Sequence, residues 1–472
     1  MRPNSRLRSQ NLIWILAFIL TVSFCVPVPA PAMTIQEERE LGDKFLQEVK
    51  KRWPFIQDTS INAYVSDVGK RILQAVGSQP FEYRFFVLNS QEVNAFAVPG
   101  GLVFLNSGLI LTIDNEDELA GVMAHEIGHV AARHISKRSD KAMPLSLATL
   151  GALLLGIFLG GKAASAVATT AIATSETVLL KYSREDEEEA DSLGLKFMEK
   201  AGYDRRAMIS MLKKIRRSYG PASSDPPAYL MTHPATEDRA NNLEIQMTHL
   251  AQDPKVSSPV GNIKRIQTKL RAEEKEAGAA VTYFENWLKR QPNEVEAYFG
   301  LGLAQRRMGG LDRALDNFNR ALVLSPEDGE ILRELGTTHF LKAEFPAAQG
   351  YLEKASRISL HDGITQLYLG RVYFEQKAYA LSLQAFLRAK ELLPHYPEIY
   401  YHLGMAYGGV NQLGPAYENL GQYYKSLGDS RIAIRHFEKA MTYYDEKDPE
   451  RRACQKEIND LKAPKNDPRE KR

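Results

Sequence analysis

Four glycines constrain nearly half of this chain. Gly302, Gly336, Gly370 and Gly404 recur at intervals of 34 residues, each directly preceded by a leucine. Sixteen positions after each glycine stands a large apolar residue, Phe318, Leu352, Phe386 and Leu420. Nineteen after the first three stands an alanine (Ala321, Ala355, Ala389), and Pro326 and Pro394 close two units. A fixed period of this length points to stacked two-helix units, each burying its apolar face only against its neighbours. The small residues let paired helices approach, and the Leu and Phe side chains fill the space between them. Half a unit precedes the array (Ala280, Phe284, Trp287, Pro292). At the far end the register jumps by 17, where Gly421, Gly428, Ala433, Phe437 and Ala440 match a unit that starts half a period early. Either one helix serves two units there or the stacking is offset.

The period is that of the tetratricopeptide repeat, so an all-α solenoid is expected over 263–450, with a polar tail over 451–472. Such stacks present a concave groove for an extended peptide or a partner helix. Nine of the 21 tyrosines fall between Tyr396 and Tyr444. Tyr suits semi-exposed binding surfaces, yet Tyr400, Tyr407 and Tyr424 occupy repeat-core positions, and most of the nine are assigned to the core.

The chain's 472 residues exceed what one core organises, so a second domain must precede the repeats. Hydrophobic residues at 44% and charged residues at 25% exclude a disordered chain and a polytopic membrane protein. The formal charge of +2 is carried by the first residues. Arg2, Arg6 and Arg8 form a basic stretch, Leu12 to Val26 an apolar run, and Ala30-Pro31-Ala32 a small-residue cleavage site. That pattern predicts a signal peptide over 1–32; an uncleaved N-terminal anchor is the alternative. Without it 57 basic residues face 58 acidic ones, so no charge argument for a polyanionic partner survives and nucleic acid is not expected as one. Only Cys454 would remain, so no intramolecular disulfide can form.

Between 33 and 251 the pattern mixes helices and strands, and a polar, proline-containing stretch, 252–262, reads as the linker. Helical spacing runs through Glu37 to Val49 and Ile61 to Val76. Strand-like runs follow at Phe81 to Leu88 and around Val103 to Leu105, the second entered through Pro99-Gly100-Gly101. Helices are predicted over 116–137, 145–160, 163–180, 183–201, 205–218 and 234–250. The uncharged run 142–161 is long enough to span a bilayer. It lies between two segments that must meet at one site, which favours a buried or membrane-surface pair of helices over a membrane hairpin.

The chemistry concentrates at His125-Glu126-Ile127-Gly128-His129. On a helix, residues four apart share a face, so His125 and His129 can offer imidazole nitrogens to one zinc ion while Glu126 flanks it as a base. A catalytic zinc needs a third protein ligand. A third histidine six residues after His129 is ruled out, because Ala132 and Ile135 stand where Gly and His would be needed. Downstream, Glu187 and Asp191 share a helix face, so Glu187 could bind the metal and Asp191 could accept from a ligand histidine. By composition alone the same run reads as a solvated acidic face.

Four ordered motifs resemble the metallopeptidase family of the CAAX prenyl protease and HtpX. They are Asn94-Ala95-Phe96-Ala97-Val98-Pro99-Gly100-Gly101, then Asp117 to His129, then Tyr182-Ser183-Arg184 with Glu187-x-x-Ala190-Asp191, then Thr232-His233-Pro234 with Arg239. The resemblance implies an α+β gluzincin-type metalloprotease domain holding one Zn2+ per chain, with Glu187 as third ligand. It places His233 beside the zinc, either as fourth ligand in a resting state or as a transition-state donor with Arg239. Peptide substrate would pair with an edge strand supplied by Asn94 to Leu105, with Asn94, Ala95, Phe96, Ala97, Gly100 and Gly101 in contact. With an export signal and repeats, the resemblance further implies a periplasmic endopeptidase of a Gram-negative bacterium. Its substrates would be polypeptides, unfolded outer-membrane proteins among them. The repeats would recruit substrate or the outer-membrane assembly machinery, and 142–161 would supply peripheral membrane contact. The competing class is a periplasmic chaperone or adaptor with a latent or structural metal site.

Overall fold

The computed structural model describes residues 33–139, 154, 182–218, 228–233, 237–249, 259–274 and 276–463. The expected signal peptide, the helices over 145–160 and 163–180 and the membrane-surface segment 142–161 lie outside the described residues, apart from the buried Leu154. Among the described residues no helix is long and apolar enough to cross a membrane. The chain divides into two compact units, Met1–Ile263 and Lys264–Arg472.

The first unit opens with α1 (Ile35–Arg52) and α2 (Thr59–Val76). Thr34 and Glu37 start α1 with a reciprocal capping box, and Asp58 caps α2 by accepting from Ser60 and Ile61. Three short strands follow, β1 (Arg84–Leu88), β2 (Ala95–Val98) and β3 (Leu102–Asn106). The sheet order is β1-β3-β2, with β1 parallel and β2 antiparallel to β3. Asn94 to Leu105 is therefore not one edge strand, as the sequence suggested. Within that stretch β2 lies at a sheet edge, β3 is central between β1 and β2, and Gly100 and Gly101 make the turn between β2 and β3 at φ +87° and +83°, a region that favours glycine. Phe104 stacks on Phe86 at 5.1 Å and on Phe96 at 5.0 Å, and Phe45 of α1 meets Phe96 and Phe104 edge-on. This aromatic row is the centre of the core that carries β2.

Next come α3 (Ser107–Thr112), α4 (Glu116–Ala131) and α5 (His134–Ser139). The single helix expected over 116–137 is thus broken. Arg133 sits at φ 55°, and its guanidinium is held by the carboxylate of the buried Glu38 and by the Met33 carbonyl. These contacts stabilise a left-handed residue where no glycine marks the break. The unit continues with α6 (Arg184–Ala201), α7 (Arg206–Ser218), the unpredicted α8 (Ala228–Thr232) and α9 (Glu237–His249). At the end of the expected linker the amides of Val260 and Gly261 donate to the buried Glu116 carboxylate.

The second unit begins within α10 (Ile263–Ala272), one residue into the helix, and continues with α11 (Ala277–Arg290). The repeats then run as α12 (Val295–Arg307), α13 (Leu311–Leu324), α14 (Gly329–Leu341), α15 (Phe345–Ile358), α16 (Gly363–Glu375) and α17 (Tyr379–Leu392). They end with α18 (Pro397–Gly409), α19 (Leu413–Ser426), α20 (Ser430–Met441) and α21 (Pro449–Lys462). The glycine spacing has a direct cause. A Cβ at Gly302, Gly336, Gly370 or Gly404 would stand 2.5 to 2.8 Å from the apolar residue sixteen positions on. Gly421 repeats the relation with Phe437 at 2.6 Å. So α19 receives α18 through Leu420 and presents Gly421 to α20; one helix serves two units, which accounts for the register jump. The polar tail expected from 451 does not begin there, because α21 buries Cys454 and Ile458 against Phe437 and Ala440. None of the nine tyrosines is fully buried. Tyr401 and Tyr443 are exposed and the other seven half-buried.

Candidate metal centre

The site is built where α4 crosses α6. Asn115 caps α4, and Glu116, Asp117 and Glu118 load its first turn with negative charge, which suits the positive end of the helix. Ser183 and Asp186 cap α6 reciprocally. A Cβ at Gly128 would meet the Ala190 carbonyl oxygen at 2.9 Å, and one at Gly194 would come within 3.3 Å of the His125 nitrogen. Small residues at these crossings let the backbones touch, which brings the histidine face of α4 onto the Glu187 face of α6.

His125, His129, Glu187 and His233 converge, all buried. His125 Nε2 lies 3.0 Å from His129 Nε2 and 3.4 Å from His233 Nδ1. Glu187 Oε1 is 2.9 Å from His233 Nδ1 and 3.4 Å from His129 Nε2. Four ligands at about 2.0–2.1 Å around a tetrahedral ion stand roughly 3.3 Å apart, so these separations fit a zinc centre. The electrostatics agree. Burial opposes charge on His125, yet Asp191 and Glu187 overcome it and push the ring's pKa up to about 9. Burial likewise opposes charge on Glu187, but His233, Arg239 and the His125 and His129 imidazoles hold it well below the usual carboxylate range. Burial first, then His125 and His233, push the His129 pKa well below its ordinary value against the pull of Glu187, so that ring stays neutral.

Around these four residues the predicted ones fall as follows. Asp191 Oδ1 is 2.9 Å from His125 Nδ1, the ring nitrogen that the cluster does not use. Arg239 donates to both Asp191 oxygens at 2.9 and 2.8 Å and stands 2.5 Å from Glu187 Oε2. It is thus engaged by carboxylates on α6, and at 5% exposure it is buried with them. Glu126 is fully buried, and burial pushes its pKa up against the opposing influence of His233, His125 and the Ala97 amide. By strict geometry neither of its oxygens completes a hydrogen bond among the described residues. His233 Nε2 lies 3.5 Å from Glu126 Oε1. The His233 ring is sandwiched between Tyr182 at 4.9 Å and Tyr229 at 4.7 Å, and Tyr182 also stacks on His129 at 3.7 Å. Asn94, Ala95, Phe96 and Ala97 lie on or beside β2, which packs against α4. Gly100 and Gly101 lie in the turn, where a Cβ would meet the backbone of Glu38 and of Glu82.

Sequence reasoning missed Tyr229 and His134. Nothing in the spacing marks Tyr229. His134 is hidden by the assumed continuity of the helix, since five residues on a helix turn a side chain about 140° away from His129. The break at Arg133 returns it, and His134 Nδ1 lies 2.8 Å from His129 Nδ1.

Comparison with known proteins agrees with this geometry. The sequence profile described as peptidase family M48 matches residues 59–246. Residues 59–246 form a domain of that family. Tetratricopeptide-repeat profiles match 272–329, 333–397 and 414–446, so the M48 domain is followed by a helical repeat unit. The beta-barrel assembly-enhancing protease of Escherichia coli is 34% identical over 222 residues, covering 46% of this chain and 45% of that protein. The mitochondrial metalloendopeptidase OMA1 of Schizosaccharomyces pombe is 31% identical over 206 residues, covering 43% and 56%. The chain spans about half the length of the relatives it matches. Among solved structures, MamA covers 35% of this chain and 96% of its own at 21% identity and a TM-score of 0.32.

Proposed function

We propose that this M48 chain is a zinc-dependent endopeptidase of the cell envelope, latent in the arrangement described. The convergence of His125, His129, Glu187 and His233 at the spacing of a tetrahedral ion's ligands carries the reading. Bound zinc would polarise a scissile carbonyl and acidify a water at the fourth position. Glu126, beside that position and with a raised pKa, takes the proton from the attacking water and returns it to the leaving amine. Asp191 orients His125, and Arg239 holds Asp191 and Glu187 in place. Peptide substrate adds to β2, an edge strand whose residues are buried in the arrangement described, by backbone pairing, which tolerates varied sequences. His233 obstructs twice, since Nδ1 fills the fourth position and Nε2 faces Glu126. Activity therefore requires His233 to leave its seat between Tyr182 and Tyr229.

The basic and apolar N-terminal pattern supports export, and the likeness to relatives from Escherichia coli and Vibrio cholerae supports the periplasm of a Gram-negative bacterium as the destination. The likeness to a beta-barrel assembly-enhancing protease of Escherichia coli supports stalled or unfolded outer-membrane proteins as substrates. The repeat unit then recruits such substrates or an assembly partner. The closed fourth position favours one second reading, a chaperone or adaptor whose metal site stays capped.

Zinc content and casein cleavage of the purified protein separate these readings. The proposal expects one zinc per chain, cleavage reduced at least 100-fold in Glu126→Gln with zinc retained, and faster cleavage in His233→Ala. Slower cleavage in His233→Ala would make that residue a catalytic donor. Zinc retention without cleavage in any variant would favour the chaperone, and equal cleavage by wild type and Glu126→Gln would end the protease reading.

A further inference from the structure

The two helix-borne histidines are supported differently. His125 has the Asp191 carboxylate behind it at 2.9 Å, whereas His129 has another histidine. His129 directs Nε2 into the cluster, so its Nδ1 must carry the proton. That proton faces His134 Nδ1 at 2.8 Å, a distance at which one ring nitrogen donates and the other accepts. With Nδ1 accepting, neutral His134 carries its own proton on Nε2, which lies 3.1 Å from Glu189 Oε2. The tautomers of both rings are thereby mutually determined. His134 is 1% exposed, while the Glu189 side chain at 52% reaches solvent.

We propose that His134, oriented by Glu189, is the positioning residue for the ligand His129 and sets the affinity of the site for zinc. The inference rests on the zinc-centre reading above. Its device is a three-membered relay, His129 to His134 to Glu189, ending on a solvated carboxylate. The Asp191 contact fixes His125 with a buried charge, while the relay fixes the His129 tautomer and ring plane with a neutral group. The break at Arg133 is what makes it possible, because it turns His134 back under His129.

The test measures zinc affinity of the full chain by competition with a chromophoric chelator, for wild type, His134→Phe, His134→Asn and Glu189→Ala. Phe keeps the ring's bulk and removes the acceptor; Asn places an amide oxygen near the former Nδ1. Zinc affinity should fall about 10- to 100-fold in His134→Phe and recover to within about threefold of wild type in His134→Asn. Glu189→Ala, at an exposed side chain, should weaken binding by several-fold with apo-protein stability unchanged. Equal affinity in wild type and His134→Phe overturns the inference, as do equal losses in the Phe and Asn variants, which would assign His134 to packing alone. Should His134→Phe fail to fold, the Glu189→Ala affinity decides by itself, and an unchanged value refutes the relay. A wild type that binds no zinc would instead refute the metal-centre reading.

Discussion

Arg239 is where the architecture of the site is most exposed to a single change. Its guanidinium bridges Glu187 and Asp191, which are 1% and 3% exposed, through contacts of 2.5 to 2.9 Å. Burial raises the pKa of Asp191, but His125 and Arg239 reverse this and push it down to about 2 from 3.8, a gap on the order of 2 kcal/mol in favour of the folded state at neutral pH. Removing the arginine strands two buried carboxylates, and breaking a buried ion pair typically costs about 3–5 kcal/mol. Arg239→Gln should therefore lower the melting temperature of the metal-free protease unit by about 10 °C, read by calorimetry as the shift of its transition. Arg239→Lys should recover only part of the loss, because a point charge cannot reproduce the two-pronged contact with Asp191 while reaching Glu187. Zinc would neutralise Glu187 but leave Asp191 dependent on His125, so saturating metal should narrow the deficit without closing it. A metal-free Arg239→Gln protein melting within about 2 °C of wild type would refute the reasoning and return Arg239 to the role of a free transition-state donor.

Two predictions concern the repeat unit. Glu334 is buried, which raises its pKa, but Arg306, Arg333 and Lys269 reverse this and push it down to about 2 from 4.5. The resulting stabilisation, on the order of 3 kcal/mol, is fully present above about pH 4.5 and lost as pH falls toward 2, so the repeat transition should fall in temperature over that window in wild type and less steeply in Glu334→Gln. In that variant Glu330, which burial pushes up but Lys269, Arg333 and Arg265 hold well below its usual range, still contributes to the fall. Gly421→Ala should cost about 1–3 kcal/mol by driving a methyl into Phe437, whereas Gly408→Ala, with open space around its Cβ, should be neutral or stabilising; urea unfolding of the two variants gives the comparison.

What the sequence disclosed and what it concealed follow from the range of the interactions. The repeat was legible because each Gly meets its partner sixteen residues away in every unit, so one contact is written four times. His125, Glu126 and His129 were legible because helical geometry places them on adjacent turns. Glu187, Asp191, His233 and Arg239 converge from three separate stretches, and spacing alone could not distinguish them from a solvated acidic face and scattered surface residues. Only the motif resemblance raised them, and the crossings at Gly128 and Gly194 supply the physical reason.

The concealed features share a different cause, a local rule broken by a distant partner. Arg133 should continue α4 by its own preference; Glu38 and the Met33 carbonyl, about 100 positions earlier, take its guanidinium and hold the residue at φ 55°. That displacement carries His134 onto His129. Likewise α21 is polar enough to read as a tail, yet two residues one turn apart, Cys454 and Ile458, suffice to dock it on the face α20 leaves open. Each misreading came from treating a segment by its own composition when a few side chains of another element decide its state. The same logic locates the site's weak points. The helices of the metal centre are self-sufficient, but the relay through His134 depends on a backbone turn held by Glu38, so loosening that ion pair should disturb zinc binding before it disturbs the fold.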